Sequence, residues 1–307
     1  DLDDIIYGIE GIIGGSGNDT LRFNSVYQRV VDNTYSGVYL DGFSGDDSLQ
    51  GNRGEDTLIG GLGNDSFLNS AGQDVYFGEE GNDRVSFSGS GTNSGITFFG
   101  GSGNDRMQSN QFTADDVFFG GDGADLAQSS GGNDTFNGES GNDFFSVTLS
   151  GGRAEGSTHT YVGGETGETG VGDTIRGDFL PASETVSYLL TDDEEGVQSN
   201  SAGSTTVNFS EVERIEHASA NDVIVDGLAS NADQFYDFRF ATGDSTVVAG
   251  GGDDSVRGSL GQDTIDGSTG DDTISTRDAD DLISLSDDFG NDTITGGEAG
   301  ETNGDTL

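Results

Sequence analysis

The sequence predicts an all-β fold, a right-handed parallel β-roll or β-helix solenoid with strand-rich insertions, wound from nine-residue units, and three observations predict it. Aspartates recur every nine positions over long runs. A large apolar residue follows most of them by two positions. Glycines cluster just before them, and the chain holds one proline and no cysteine.

The unit is plainest at Gly60-Gly61-Leu62-Gly63-Asn64-Asp65-Ser66-Phe67-Leu68, of the form G-G-x-G-x-D-x-U-x with U a large apolar residue. Asp47, Asp56, Asp65, Asp74 and Asp83 fall nine residues apart without a gap, followed two positions later by Leu49, Leu58, Phe67, Tyr76 and Val85. Asp125, Asp134 and Asp143 form a second run, extended backwards by the weaker repeat at Asp116. Asp254, Asp263, Asp272 and Asp281 form a third, with Val256, Ile265, Ile274 and Ile283 at the apolar position. Single copies stand at Asp19, Asp105 and Asp292, and at Asp125 the apolar order is exchanged, Leu126 preceding Ala127.

Each position has a physical task. Gly42, Gly51, Gly60, Gly63, Gly78, Gly81, Gly138, Gly141, Gly258, Gly261, Gly267 and Gly270 hold the turns. There they permit positive φ and let carbonyls point at a common centre. The Asp supplies a hard anionic oxygen suited to calcium, and the apolar residue faces inward from a strand of about three residues. One unit is half a coil, so units n and n+2 stack. Asp47 is expected over Asp65, and Asp56 over Asp74.

This repeat resembles that of the RTX (repeat-in-toxin) calcium-binding nonapeptide-repeat proteins. The resemblance implies Ca2+ ions between stacked turns, bound by Asp carboxylates and turn carbonyls. All the repeat aspartates and turn glycines named above are then candidate metal ligands, and the uninterrupted runs give about seven ions or more. The longer pattern at Gly163-Gly164-Glu165-Thr166-Gly167-Glu168, followed by Gly172-Asp173-Thr174-Ile175, recurs near the end as Gly296-Gly297-Glu298-Ala299-Gly300-Glu301 and Gly304-Asp305-Thr306-Leu307. It resembles large secreted proteins of marine alphaproteobacteria.

Composition points the same way. Of 307 residues, 57 are acidic and 11 basic, all of the latter Arg, for a net charge of -46; 30% are hydrophobic. Ordinary globular domains hold about 45–50%. Such a chain does not offset its ordering entropy by apolar burial alone, and bound cations are the natural supplement. The acidic surface argues against nucleic acid and anionic membranes as partners. No apolar run reaches the roughly 18 residues of a membrane helix, and the absence of Cys excludes disulfides and thiolate metal sites.

The organisation expected is a first roll over 1–149, with insertions near 23–41, 88–96 and 109–113. An irregular strand-rich segment over 150–249 continues the solenoid, with strand-like runs at Val186–Leu190 and Thr205–Phe209. A second roll over 250–307 reads as truncated, so the chain reads as a fragment of a longer protein. Asp192-Asp193-Glu194-Glu195 is a solvated turn.

No catalytic constellation is expected within these residues. His159 and His217, the only histidines, lie in no H-E-x-x-H motif; no nucleophile elbow is present; and Arg176-Gly177-Asp178 is a chance triplet in a Gly- and Asp-rich chain. The functional expectation is a secreted calcium-binding segment, extracellular or on a bacterial cell surface, that folds on extracellular calcium. It would serve as a structural or adhesive element, such as an S-layer, surface fibre or attachment protein, meeting cell-surface components or other copies of itself. The alternative is the folding and secretion module of a larger secreted enzyme. The family resemblance implies export through a type I secretion apparatus.

Overall fold

The computed structural model describes residues 11–22, 36–68, 71–86, 94–108, 114–129, 131–148, 157–164, 172–178, 186–190, 195–200, 205–210, 212–218, 222–285, 289–297 and 306. The expected insertion over 23–41 therefore lies mostly outside the described residues, as do the insertion at 109–113, most of that at 88–96 and the acidic turn at 192–194. The described residues contain strands and turns and no helix, hence no helix long and apolar enough to cross a membrane. Two compact units form, Asp1–Ser140 and Gly141–Leu307.

In the first unit the strands are β1 (Gly11–Ile13), β2 (Thr20–Arg22), β3 (Tyr39–Ser44), β4 (Ser48–Gln50), β5 (Thr57–Leu62), β6 (Ser66–Leu68), β7 (Val75–Glu80), β8 (Arg84–Ser86), β9 (Thr97–Ser102), β10 (Arg106–Gln108), β11 (Val117–Asp122), β12 (Leu126–Ser129) and β13 (Thr135–Ser140). Odd-numbered strands lie side by side in one sheet and even-numbered strands in the other. Neighbours run parallel in register. The chain thus coils once per two repeats, as the spacing predicts.

Strand alternation sends every second side chain inward. One core column runs Leu40, Leu58, Tyr76, Phe98, Phe118, Phe136; the facing column runs Leu49, Phe67, Val85, Met107, Ala127. All are buried. Phe98 and Phe118 stack with centroids 5.0 Å apart, and Phe118 and Phe136 at 4.9 Å. Such pairs add about 0.5–1.5 kcal/mol beyond their burial. At the exchanged repeat it is Ala127 that points inward, because parity rather than side-chain size decides which residue faces the core.

In the second unit the strands are β14 (Phe144–Thr148), β15 (Ser157–Val162), β16 (Thr174–Asp178), β17 (Val186–Leu190), β18 (Gly196–Asn200), β19 (Thr205–Ser210), β20 (Arg214–His217), β21 (Val223–Asp226), β22 (Phe235–Asp237), β23 (Ser245–Val248), β24 (Ser255–Arg257), β25 (Thr264–Asp266), β26 (Thr273–Ser275), β27 (Leu282–Ser284) and β28 (Thr293–Thr295). One sheet has the order β15-β19-β18-β17-β21-β23-β25-β27, the other β14-β16-β20-β22-β24-β26-β28. Here β18 runs antiparallel to both β17 and β19, while β16 pairs directly with β20. A short connection from Leu190 to Gly196 suits an antiparallel hairpin, which needs no crossover.

Arg176-Gly177-Asp178 lies in β16, paired with β14 and β20. Gly177 is buried, and a Cβ there would fall on the Gln198 side chain and the Tyr188 hydroxyl. The glycine is therefore demanded by packing.

Candidate metal centre

Each coil places an Asp at the turn that leads from an odd-numbered to an even-numbered strand in the first unit. Asp47, Asp65, Asp83 and Asp105 stack there, each 1–2% exposed. A repeating hydrogen bond joins them: the N–H of Asp47 donates to Oδ1 of Asp65 (2.7 Å), that of Asp65 to Asp83 (2.6 Å), that of Asp83 to Asp105 (2.6 Å), and that of Asp105 to Asp125 (2.7 Å). Asp19 opens the row by donating to Asp47 at 2.6 Å. Asp105, which the spacing sets apart, is thus a full member of the row, and the 22-residue step from Asp83 is absorbed outside the ladder.

The second oxygen of these carboxylates is different. Oδ2 of Asp47, Asp65, Asp83 and Asp105 is buried and accepts no hydrogen bond. It sits over a glycine five residues earlier, in the space a Cβ would fill: Asp47 over Gly42, Asp65 over Gly60, Asp83 over Gly78. The same spaces are approached by a carbonyl of the next coil, Gly60 O over Gly42 and Gly100 O over Gly78. Likewise Gly120 O meets Asp105 Oδ2 over Gly100, and Gly138 O meets Asp125 Oδ2 over Gly120. Oxygens of one sign converge with no proton between them, which is the donor set of a hard cation such as calcium. Among the described residues no three His, Cys, Asp or Glu side chains surround one point, so such a cation would rely on carbonyls beside few carboxylates.

Electrostatics agree. Burial pushes the Asp65 and Asp105 carboxyls up to about 6 and that of Asp83 to about 7. Asp47 is raised as well, again chiefly by burial. In the second unit burial pushes Asp254 to about 8 and raises Asp272, with neighbouring aspartates adding to both. Buried carboxylates at this spacing resist ionisation unless a positive charge compensates them.

The second unit repeats the row. Gln234 donates to Asp254 (2.7 Å), Asp254 to Asp272 (2.9 Å) and Asp272 to Asp292 (3.0 Å), and Oδ2 of Asp254, Asp272 and Asp292 accepts no hydrogen bond. Asp272 Oδ2 lies over Gly267. Asp292, another single copy by spacing, therefore joins its neighbours. Asp143 donates to Asp173 at 2.5 Å, and Asp173 to Glu213 at 2.6 Å.

The opposite turns of the coil stack too, but are built otherwise. Asp56 donates to Asp74 (3.0 Å), Asp116 to Asp134 (2.8 Å) and Asp263 to Asp281 (2.8 Å). Four of these second oxygens find protein donors: Asn52 N–H on Asp56, the Tyr76 hydroxyl on Asp74, the Ser129 hydroxyl on Asp134, and Ser259 N–H on Asp263. Gly51 and Gly258 lie against Asp56 and Asp263. Of the twelve turn glycines only Gly63, Gly81, Gly141 and Gly270 take the expected positive φ; Gly42, Gly51, Gly60, Gly78, Gly138, Gly258 and Gly267, each five residues before its Asp, do not, and neither does Gly261. At its turn Ser259 caps Asp263 instead.

Sequence reasoning missed two sets of residues. Asp173 and Glu213 extend the carboxylate row, and only the Gly172-Asp173-Thr174-Ile175 string hinted at the first. The residue just before each Asp forms an outer ladder running the other way. Asn64 N–H donates to Asp46 Oδ1 (2.8 Å), Asn82 to Asn64 (2.8 Å) and Asn104 to Asn82 (2.6 Å). The regular Asn or Asp at that position was the available signal.

The family model of the RTX calcium-binding nonapeptide repeat (4 copies) matches residues 12–24, 41–76, 70–85, 112–145, 241–274, 257–289 and 284–299. No curated protein matches the chain. The matched segments, which together cover just under half of the chain, hold Asp19, Asp47, Asp65, Asp83, Asp254, Asp272 and Asp292 of the carboxylate rows but not Asp105, Asp173 or Glu213, and the chain carries several copies of the RTX calcium-binding nonapeptide repeat.

Proposed function

We propose that the chain is the calcium-folded structural or adhesive element of a secreted protein, ordered outside the cell and built to be unfolded inside it. The observation that carries this reading is the buried row Asp47, Asp65, Asp83, Asp105, whose Oδ2 atoms have no donor and, at Asp47, Asp83 and Asp105, face a carbonyl of the next coil. Without cations these carboxylates repel one another and lose their hydration on folding, so the chain favours an extended state that suits a type I secretion apparatus. Bound calcium supplies the positive charge the rows lack and the free energy that orders the coils. Folding is cooperative because each coil borrows hydrogen bonds and carbonyls from the next. The buried aromatic columns are then a scaffold and the acidic exterior a soluble one, with surface attachment or assembly as its use and no catalysis within these residues.

Far-UV circular dichroism during a calcium titration tests this. The expected midpoint is about 10⁻⁴–10⁻³ M, the range of extracellular sites. A midpoint at cytosolic, sub-micromolar calcium would contradict folding outside the cell.

A further inference from the structure

Resting on the calcium reading above, we infer that the ions occupy only the turns whose fourth residue before the Asp has positive φ, and that a backbone N–H excludes them from the others. The two kinds of turn differ at one peptide. In the first kind, residue n−4 is left-handed: Phe43 (φ 73°) before Asp47, Gly61 (108°) before Asp65, Glu79 (78°) before Asp83, Gly101 (109°) before Asp105, Gly250 (114°) before Asp254 and Ser268 (70°) before Asp272, and likewise Gly121 (109°) before Asp125, Glu139 (74°) before Asp143 and Arg277 (81°) before Asp281. The first six of these aspartates, Asp47, Asp65, Asp83, Asp105, Asp254 and Asp272, keep a buried Oδ2 without a donor. The displaced N–H goes elsewhere, that of Phe43 to Asp41 Oδ1 (3.1 Å) and that of Ser268 to Asp266 Oδ1 (2.9 Å).

In the second kind, residue n−4 has no positive φ, and its N–H points straight at Oδ2. Gly15 donates to Asp19 at 2.7 Å, Asn52 to Asp56 at 2.7 Å, and Ser259 to Asp263 at 2.9 Å. At Asp263 the hydroxyls of Ser245 and Ser259 also donate, at 2.6 and 2.7 Å, to Oδ1. A proton already occupies the direction from which a cation would be bound, and a donor and a cation do not share one lone pair. Non-glycine residues rarely hold positive φ without compensation. Phe43, Glu79 and Ser268 holding it marks these turns as shaped for their ligand.

Of the sixteen repeat aspartates, Asp47, Asp65, Asp83, Asp105, Asp254 and Asp272 are therefore assigned to calcium, and Asp19, Asp56 and Asp263 to the protein's own hydrogen bonds. Asp→Asn substitutions in the full chain test the division, because Asn keeps the Oδ1 acceptor and the shape. Equilibrium dialysis at saturating calcium should show Asp65→Asn binding one or two ions fewer than the parent, with Asp56→Asn and Asp263→Asn binding the same number. An equal loss from Asp56→Asn or Asp263→Asn overturns this division and leaves the calcium reading standing; no binding by the parent chain overturns both. Should a variant fail to fold, anomalous scattering from calcium-grown crystals of the parent chain decides. Calcium peaks beside the six assigned carboxylates and none beside Asp19, Asp56 or Asp263 support the division, and a peak beside any of those three contradicts it.

Discussion

The backbone N–H of Asp65 donates to Oδ1 of Asp83, eighteen residues later, at 2.6 Å, while Oδ2 of Asp83 is buried with no donor. One carboxylate thus performs two tasks. Its first oxygen locks the coil before it, and on the calcium reading proposed above its second would meet the cation. On that reading binding and coil stacking are one event at this residue, and their energies are inseparable.

Removing that carboxylate should weaken both. Asp83→Ala is expected to raise the calcium midpoint of folding at least about threefold, since charge count tunes such sites. Glu195→Ala, at an exposed position, should leave it unchanged. A calcium titration by circular dichroism compares the two.

Filling the glycine space should act similarly without removing charge. A Cβ at Gly42 would fall on the Asp47 carboxylate and close on Gly60 O. Gly42→Ala is expected to lower the bound-ion count by one or two, measured by equilibrium dialysis, and to raise the calcium midpoint. A similar Ala at exposed Gly17, where a Cβ meets nothing within 4 Å, should change neither.

The core should report through the same midpoint. Phe118, 1% exposed, stacks on both Phe98 and Phe136. Phe118→Ala is expected to cost about 3–5 kcal/mol. Because ligand binding and folding are linked, the loss should appear as a higher calcium requirement; denaturant unfolding at saturating calcium measures it.

Acidity should partly replace calcium. Burial raises the carboxyls of Asp65 and Asp105 to about 6, Asp83 to about 7 and Asp254 to about 8, from the ordinary 3.8. A raised folded-state pKa means that the metal-free fold binds protons more tightly than the unfolded chain. Its penalty is absent below the ordinary carboxylate value and grows as pH rises through about 6–8. In chelator, lowering the pH from about 8 to about 5 should increase β content, whereas saturating calcium should flatten the dependence. Circular dichroism against pH in the two buffers checks the sign.

The coil was legible in the sequence because its period is carried by residues with one physical task each. Asp65 and Phe67 recur in phase, and the register Leu49 on Phe67 on Val85 follows from counting. The inward Ala127 was equally determined, by parity. What distinguishes Asp56 from Asp65 was not legible, since it depends on the φ of Asn52 and Gly61 rather than on residue type. Phe43 and Glu79 show why: they take positive φ in the same strand column as Gly61 and Gly101, held there by their neighbours. The membership of Glu213 in the row and the antiparallel placement of β18 were hidden for a related reason, as both depend on long-range stacking with no repeat to announce it.

Amide hydrogen exchange at Asp65, Asp83 and Asp105 tests most directly whether calcium holds the fold together. These N–H groups or their acceptors form the ladder itself. In millimolar calcium the three amides should be strongly protected, and in chelator at neutral pH they should exchange at the rate of an unfolded chain. Full protection in chelator would contradict calcium-dependent folding.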